Sequence, residues 1–286
     1  MAISAAMVKE LREKTGAGMM DCQRALKEAG GDLEEAVKIL RKRGLAAAAK
    51  KAGRLTKEGL VAVHVVADRN RGGMIELNCE TDFVSRTEQY RAFAEALAEQ
   101  TASDGTDDVD KLKSSRYMAD PLHTVAEAIA SQIATIGENI VLTRVGCIIA
   151  GDGMQIGSYV HMGGKIGVLV EASAAADEET LKDVAMQVAA AEPRFVSRDQ
   201  VPAEVVKEEL EIARAQAADS GKPAHVIDKI AEGKLGKFYE QTCLMDQVFV
   251  KNPEEKVAAM LAARSGVSVK SFLRFKLGEG AGEPAS

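Results

Sequence analysis

The chain has no tryptophan and only four cysteines, four histidines and six prolines in 286 residues. Each shortage removes a class of function. Cys22, Cys79, Cys147 and Cys243 are far apart with no C-x-x-C spacing and no paired Cys/His cluster, so a zinc site or a disulfide scaffold does not fit, and they read as small buried hydrophobes. No stretch reaches the roughly 20 apolar residues of a membrane span. Met1 to Glu10 lacks an apolar run of signal-peptide length and already carries Lys9 and Glu10. Free thiols without an export signal or an anchor lead us to expect a cytoplasmic protein. The net charge of -6 argues against a general nucleic-acid or acidic-membrane binder, because such proteins need a positive field to displace counterions.

Catalytic and cofactor-binding patterns are also missing. His64, His123, His161 and His225 are isolated from one another in sequence. Gly151, Gly153 and Gly157 do not make G-x-G-x-x-G, and the pattern that follows them reads as a strand where that motif needs a helix. Gly163, Gly164 and Lys165 lack the first half of a Walker loop. Asp107, Asp108 and Asp110 have neither the glycine nor the distant glutamate of a calcium loop. We therefore expect a protein that is not an enzyme and that carries no cofactor and no metal.

What is present is regular patterning. Residues 1 to 52 read as three short helices. Ser4 caps the first, with Met7, Val8 and Leu11 inward; the second carries Met19, Cys22, Ala25, Leu26 and Ala29 before Gly30 and Gly31; Asp32 and Glu35 open the third, with Leu33, Ala36, Val37 and Leu40 inward before Gly44. Leu45 to Lys51 can extend as a helix, made basic by Lys50, Lys51, Arg54 and Lys57 as a solvated linker face would be, and between Gly53 and Gly59 the period changes from helical to strand-like. Leu60 to Val66 and Gly73 to Glu80 then read as a hairpin, and a helix from about Glu88 turns Tyr90, Phe93, Ala94, Leu97 and Ala98 to one side. A second amphipathic helix is expected just after Pro121, with Leu122, Val125, Ile129, Ile133 and Ile136 inward, followed by a strand from Ile140 to Ala150.

The second half repeats hairpin then helix: Met154 to Met162, Lys165 to Ser173, then Leu181, Val184, Val188 and Ala189 inward. Pro202 to Gln241 reads as two helices whose seam of Val206, Leu210, Ala213 and Ala217 suits a helical hairpin or coiled coil, an arm able to pair with a second copy. A helix opening at Asn252 to Glu255 and a last strand with Val269, Ser271, Leu273, Phe275 and Leu277 on one face complete the chain. The fold class expected is α+β: a helical domain over 1–54, a core subdomain over 55–139, a second over 140–280 bearing the arm at about 200–241, and a frayed tail at 281–286.

Between the first hairpin and its helix lie Thr81, Asp82, Phe83 and Val84. Met74 to Glu80 alternates, with Ile75, Leu77 and Cys79 on one face and Glu76, Asn78 and Glu80 on the other. Spacing alone leaves Phe83 either tucked back into the core or presented outward.

These residues, with Val8 to Arg12, Thr15 to Asp21, Asn78 to Val84, Ile136 to Asn139, Gly157 to Tyr159, Ile166 to Val170, Ser220 to Pro223 and Arg274, Phe275, Gly278, Glu279 and Gly280, resemble the bacterial elongation factor Ts family. That resemblance implies a guanine-nucleotide exchange factor for elongation factor Tu, the GTPase that delivers aminoacyl-tRNA. It also implies an N-terminal bundle similar to ubiquitin-associated domains, and two core subdomains that grip the GTPase. Thr81, Asp82, Phe83 and Val84 would enter its nucleotide domain and disturb the Mg²⁺ site, and His161 would meet its third domain. No direct nucleic-acid or membrane contact is implied. The competing reading, suggested by the N-terminal bundle alone, is a ubiquitin-like or nascent-chain binding adaptor.

Overall fold

The computed structural model describes residues 3–218, 223–264 and 266–279. Helices α1 (Ala5–Thr15), α2 (Met19–Glu28) and α3 (Leu33–Lys51) enclose a small core of Val8, Leu11, Cys22, Ala25, Leu26 and Ala36. Their boundaries follow local chemistry. The Ser4 hydroxyl accepts the Met7 N–H, Asp32 accepts those of Glu34 and Glu35, and Gly16 closes α1 in the left-handed region. One expectation fails here. Met19 is exposed, because the buried stripe of α2 centres on Cys22, Ala25 and Leu26 and leaves the first turn outside it. Gly44 lies within α3 without ending it, and the extension over Leu45 to Lys51 that the sequence allowed is helical, to Lys51.

β1 (Glu58–Val65), β2 (Arg71–Cys79) and β3 (Ile140–Ile149) form an antiparallel sheet in that order, with β2 central. Between β2 and β3 come α4 (Asp82–Ser85), α5 (Glu88–Asp104), α6 (Val109–Ser114) and α7 (Val125–Ile136). Asp108, weighed above as part of a calcium-like run, instead caps α6 by accepting the Asp110 and Lys111 N–H groups. Helix α7 does not begin at Pro121. Thr124 and Glu127 form a reciprocal capping box that fixes its start, and Leu122 lies outside the helix and is exposed.

A second antiparallel sheet comprises β4 (Met154–His161), β5 (Ile166–Ser173) and, beyond it, β8 (Val269–Lys276). α8 (Glu178–Ala191) covers it, α9 (Ala203–Ala218) and α10 (Ala224–Thr242) form the arm, and β6 (Val248–Phe249), β7 (Asn252–Lys256) and α11 (Val257–Ala263) lead to β8. Residues 252–256 are thus strand, not the start of a helix. They pair back on β6 across the turn at Val250 and Lys251, a short hairpin that the Asn-Pro-Glu-Glu pattern conceals. Within the arm Ala213 and Ala217 are buried, and Arg214 pairs with Asp228 across the two helices at 3.0 Å. Residues 219–222, between the two helices of the arm, and the tail at 281–286 lie outside the described residues.

The two sheets face each other, which makes four layers of helices, sheet, sheet and helices. Val61, Met74, Ile156, Leu169 and Phe275 form the core between the sheets. Close approach needs glycine: a Cβ at Gly72 would lie 2.7 Å from Leu169 Cδ2, and one at Gly167 would lie 2.5 Å from Val61 Cγ1 and 2.9 Å from the Met74 sulfur. Each central strand therefore offers a glycine beside a large side chain of the other. This packing corrects the expected half-buried β2. Glu76 and Asn78, on its polar face, are as buried as Ile75 and Leu77. Arg144 compensates the buried charge, with Nε at 2.7 Å and Nη2 at 2.6 Å from Glu76 Oε2, while Asn78 and the Gly278 N–H donate to Oε1.

The N-terminal helices also lean on the rest of the chain more than their sequence suggests. At Gly44 a Cβ would sit 3.5 Å from the Ala130 carbonyl oxygen of α7, Lys51 Nζ donates to the Ile133 carbonyl at 3.2 Å, and Arg41 pairs with Glu127.

Candidate functional site

Strand β2 ends at Cys79 because the chain there turns into a four-residue helix capped by Thr81, whose hydroxyl accepts the Val84 N–H at 3.5 Å. Within that turn the side chains part company. Val84 packs inward against the core under the first sheet, whereas Phe83 is 79% exposed. Asp82 points outward and pairs with Arg86 at 2.7 Å. Local bonds stiffen the turn: Ser85 Oγ donates to the Asp82 carbonyl at 2.9 Å, and Thr87 donates to the Val84 carbonyl through both its hydroxyl and its N–H.

The floor beneath the turn is equally constrained. Tyr90, fully buried, donates its hydroxyl to the Leu77 carbonyl at 2.7 Å, and burial pushes its pKa far up. Cys79 donates its thiol to the Thr81 carbonyl at 3.1 Å, and burial raises that thiol to about 11. Glu80 accepts the Asn139 N–H at 2.6 Å, the main cause of its lowered pKa, and pairs with Arg54 at 3.2 Å; Asn139 Nδ2 in turn donates to the Arg54 carbonyl. Glu138 accepts the N–H groups of Glu80 and Thr81 and the Thr81 hydroxyl. The Ile136 to Asn139 segment thus buttresses the Thr81 to Val84 turn, a role its sequence gave no direct sign of beyond the helix-ending Gly137.

His161 ends β4 on the surface, its Nδ1 3.0 Å from the Tyr159 hydroxyl. The neighbouring Met162 is 73% exposed and has a φ of 50°, and with Gly163 and Gly164 it makes the tip of the second hairpin. Arg91 spans the two regions: its Nε donates to the Ser85 carbonyl at 3.4 Å, and its Nη2 lies 3.7 Å from where a Gly163 Cβ would be. The hairpin tip is tied to the first sheet by the Val61 N–H bond to the Gly164 carbonyl at 2.7 Å and the Lys165–Glu58 pair at 2.9 Å. Leu55, singled out by nothing in the sequence, is 77% exposed beside Arg54 of the same buttress. No helix among the described residues is long and apolar enough to cross a membrane.

Phe83 is thus an aromatic ring held clear of its own core on a stiff turn. Residues 80–279 match the family described as elongation factor TS. The chain is 45% identical to elongation factor Ts of Clostridium novyi (strain NT), covering 97% of this chain and 94% of that protein. It is 44% identical to elongation factor Ts of Clostridium botulinum (strain ATCC 19397 / Type A), covering 97% and 93%. The chain belongs to the elongation factor Ts family, the translation elongation factors of that name.

Proposed function

We propose that the protein binds elongation factor Tu in its GDP-bound form and accelerates GDP release, so that GTP can replace it. The observation that carries this reading is the exposure of Phe83 on a turn fixed from three sides. A Phe side chain left in water stabilises nothing in the free protein, whereas burying it against a partner contributes roughly 1.5–3 kcal/mol. Thr81, Asp82, Phe83 and Val84 form the wedge: Phe83 supplies the insertion energy, Asp82 brings charge to the partner's displaced elements, and Thr81 and Val84 hold the turn. The wedge disturbs the groups that hold Mg²⁺ on the partner. With less positive charge against its phosphate oxygens, the diphosphate leaves faster. Linkage makes this reciprocal, so the factor by which this chain weakens GDP binding is the factor by which GDP weakens this chain's binding.

In this reading the chain has no turnover chemistry of its own, the helices of 1–54 dock on the partner's nucleotide domain, and the hairpin tip at His161 meets another of its domains. The two core subdomains, 55–139 and 140–280, act as the rigid handle. Release of a fluorescent GDP analogue from such a GTPase tests the proposal. Added protein should speed release, and Phe83→Ala should abolish most of that effect; release unchanged by the parent protein would refute it.

A further inference from the structure

We infer that Glu138 is the positioning residue that sets the orientation of the Phe83 turn, an inference that rests on the exchange-factor reading above. Helix α4, at four residues, is far too short to hold its shape by its own backbone bonds. It has to be held from outside. Glu138 follows Gly137, the left-handed residue that ends α7, and from there reaches 57 residues back along the chain. Its Oε2 accepts the Glu80 N–H at 3.1 Å and the Thr81 N–H at 3.0 Å; its Oε1 accepts the Thr81 hydroxyl at 2.6 Å.

The third bond governs the turn. A threonine hydroxyl has one proton, and Glu138 takes it, which leaves a lone pair of Thr81 Oγ1 to receive the Val84 N–H and cap α4. Both oxygens of one carboxylate thus fix the backbone entering α4 and the direction of its cap. Val84 is thereby kept inward and Phe83 outward. Bonds to an ionised acceptor are the stronger kind; a carboxamide of the same size still accepts the two N–H groups on its oxygen but loses the charge and turns its NH2 toward Thr81 Oγ1, so the hydroxyl can no longer donate there and the direction of the cap is no longer imposed.

Glu138→Gln is the test, with release of fluorescent GDP and binding to the GTPase measured separately. At saturating exchange factor, release should slow about tenfold, the equivalent of roughly 1.4 kcal/mol, while the concentration for half-saturation changes less than threefold. In a Phe83→Ala background Glu138→Gln should add nothing, because Glu138 acts through Phe83; an equal slowing in both backgrounds would overturn the inference. Thr81→Val, which removes only the hydroxyl, should slow release in the same direction by a smaller factor. In the free protein, amide hydrogen exchange at Glu80 and Thr81 should quicken in Glu138→Gln with the thermal midpoint kept. If the parent protein speeds release and Glu138→Gln matches it, the positioning role fails while the exchange reading stands. If the parent does not speed release, the exchange reading fails, and unchanged amide protection at Glu80 and Thr81 would sink the clamp as well.

Discussion

Replacing Gly73 with alanine should loosen the handle that carries the wedge. Gly73 sits in the central strand of the first sheet, where α5 crosses it, and a Cβ there would lie 2.4 Å from both the Ala98 carbonyl oxygen and the Ala102 nitrogen. Both are backbone atoms, so no side chain can rotate away. Restoring an ordinary contact of 3.4 Å means moving the helix outward by about 1 Å. Overpacking of this kind costs about 1–3 kcal/mol, and a rigid neighbour puts Gly73→Ala at the upper end. Alanine regains about 0.5–1 kcal/mol over glycine in a strand, which leaves a net loss of about 2 kcal/mol. For a protein of this size that lowers the thermal midpoint by about 3 °C. Urea unfolding followed by circular dichroism gives the same quantity from the transition midpoint. Gly53→Ala is the control, because nothing lies within 4 Å of its Cβ. A Gly73→Ala midpoint equal to that of Gly53→Ala would refute the close packing of α5 on β2.

Gly44→Ala should be neutral or raise stability by up to about 1 kcal/mol, since its Cβ meets Ala130 at an ordinary 3.5 Å and alanine is the better helix former; Gly44→Leu should instead part α3 from α7, read as faster proteolysis of the 1–54 segment. Burial pushes the Glu171 carboxyl up, but the Gly151 N–H, Lys270 and Ser271 outweigh it and hold the pKa below its ordinary 4.5. Its contribution to stability is therefore present above pH 4.5 and lost as pH falls through the lower folded value, so Glu171→Gln should flatten the acid side of a stability–pH curve measured by urea titration. Phe83→Ala should change the free protein's unfolding free energy by less than about 0.5 kcal/mol, because the ring is mostly in water; a loss of about 3 kcal/mol would mean that it packs inside.

Much of the architecture was legible because its signals are local. The three- and four-residue spacing of Tyr90, Phe93, Ala94, Leu97 and Ala98 forecast the buried face of α5, and Ser4 and Asp32 marked helix starts through the oxygen each offers to free N–H groups. What stayed hidden depends on distant parts of the chain. Glu76 and Asn78 look like solvent-facing residues until a second sheet, a hundred residues on, covers them and Arg144 takes up the charge. Residues 252–256 are a different case: their partner β6 lies just across a two-residue turn, and the helix-start pattern of Asn252 to Glu255 masked that hairpin. The start of α7 is different, since the Thr124 to Glu127 box was present in the sequence and outweighed Pro121. At the site, alternation along β2 located the junction but left the direction of Phe83 open. The residues that fix that direction, Glu138 and Asn139, lie beyond the next helices and become neighbours only through folding.

Release of a fluorescent GDP analogue from elongation factor Tu, followed by stopped flow at saturating concentrations of the parent chain and of Phe83→Ala, shows whether the exposed ring is what loosens the nucleotide. Release should be fast with the parent and at least about tenfold slower with Phe83→Ala, while the variant still binds and the free protein remains as stable. Equal release rates for the two proteins at saturation would contradict it, because a ring that inserts to loosen the nucleotide site cannot be removed without consequence.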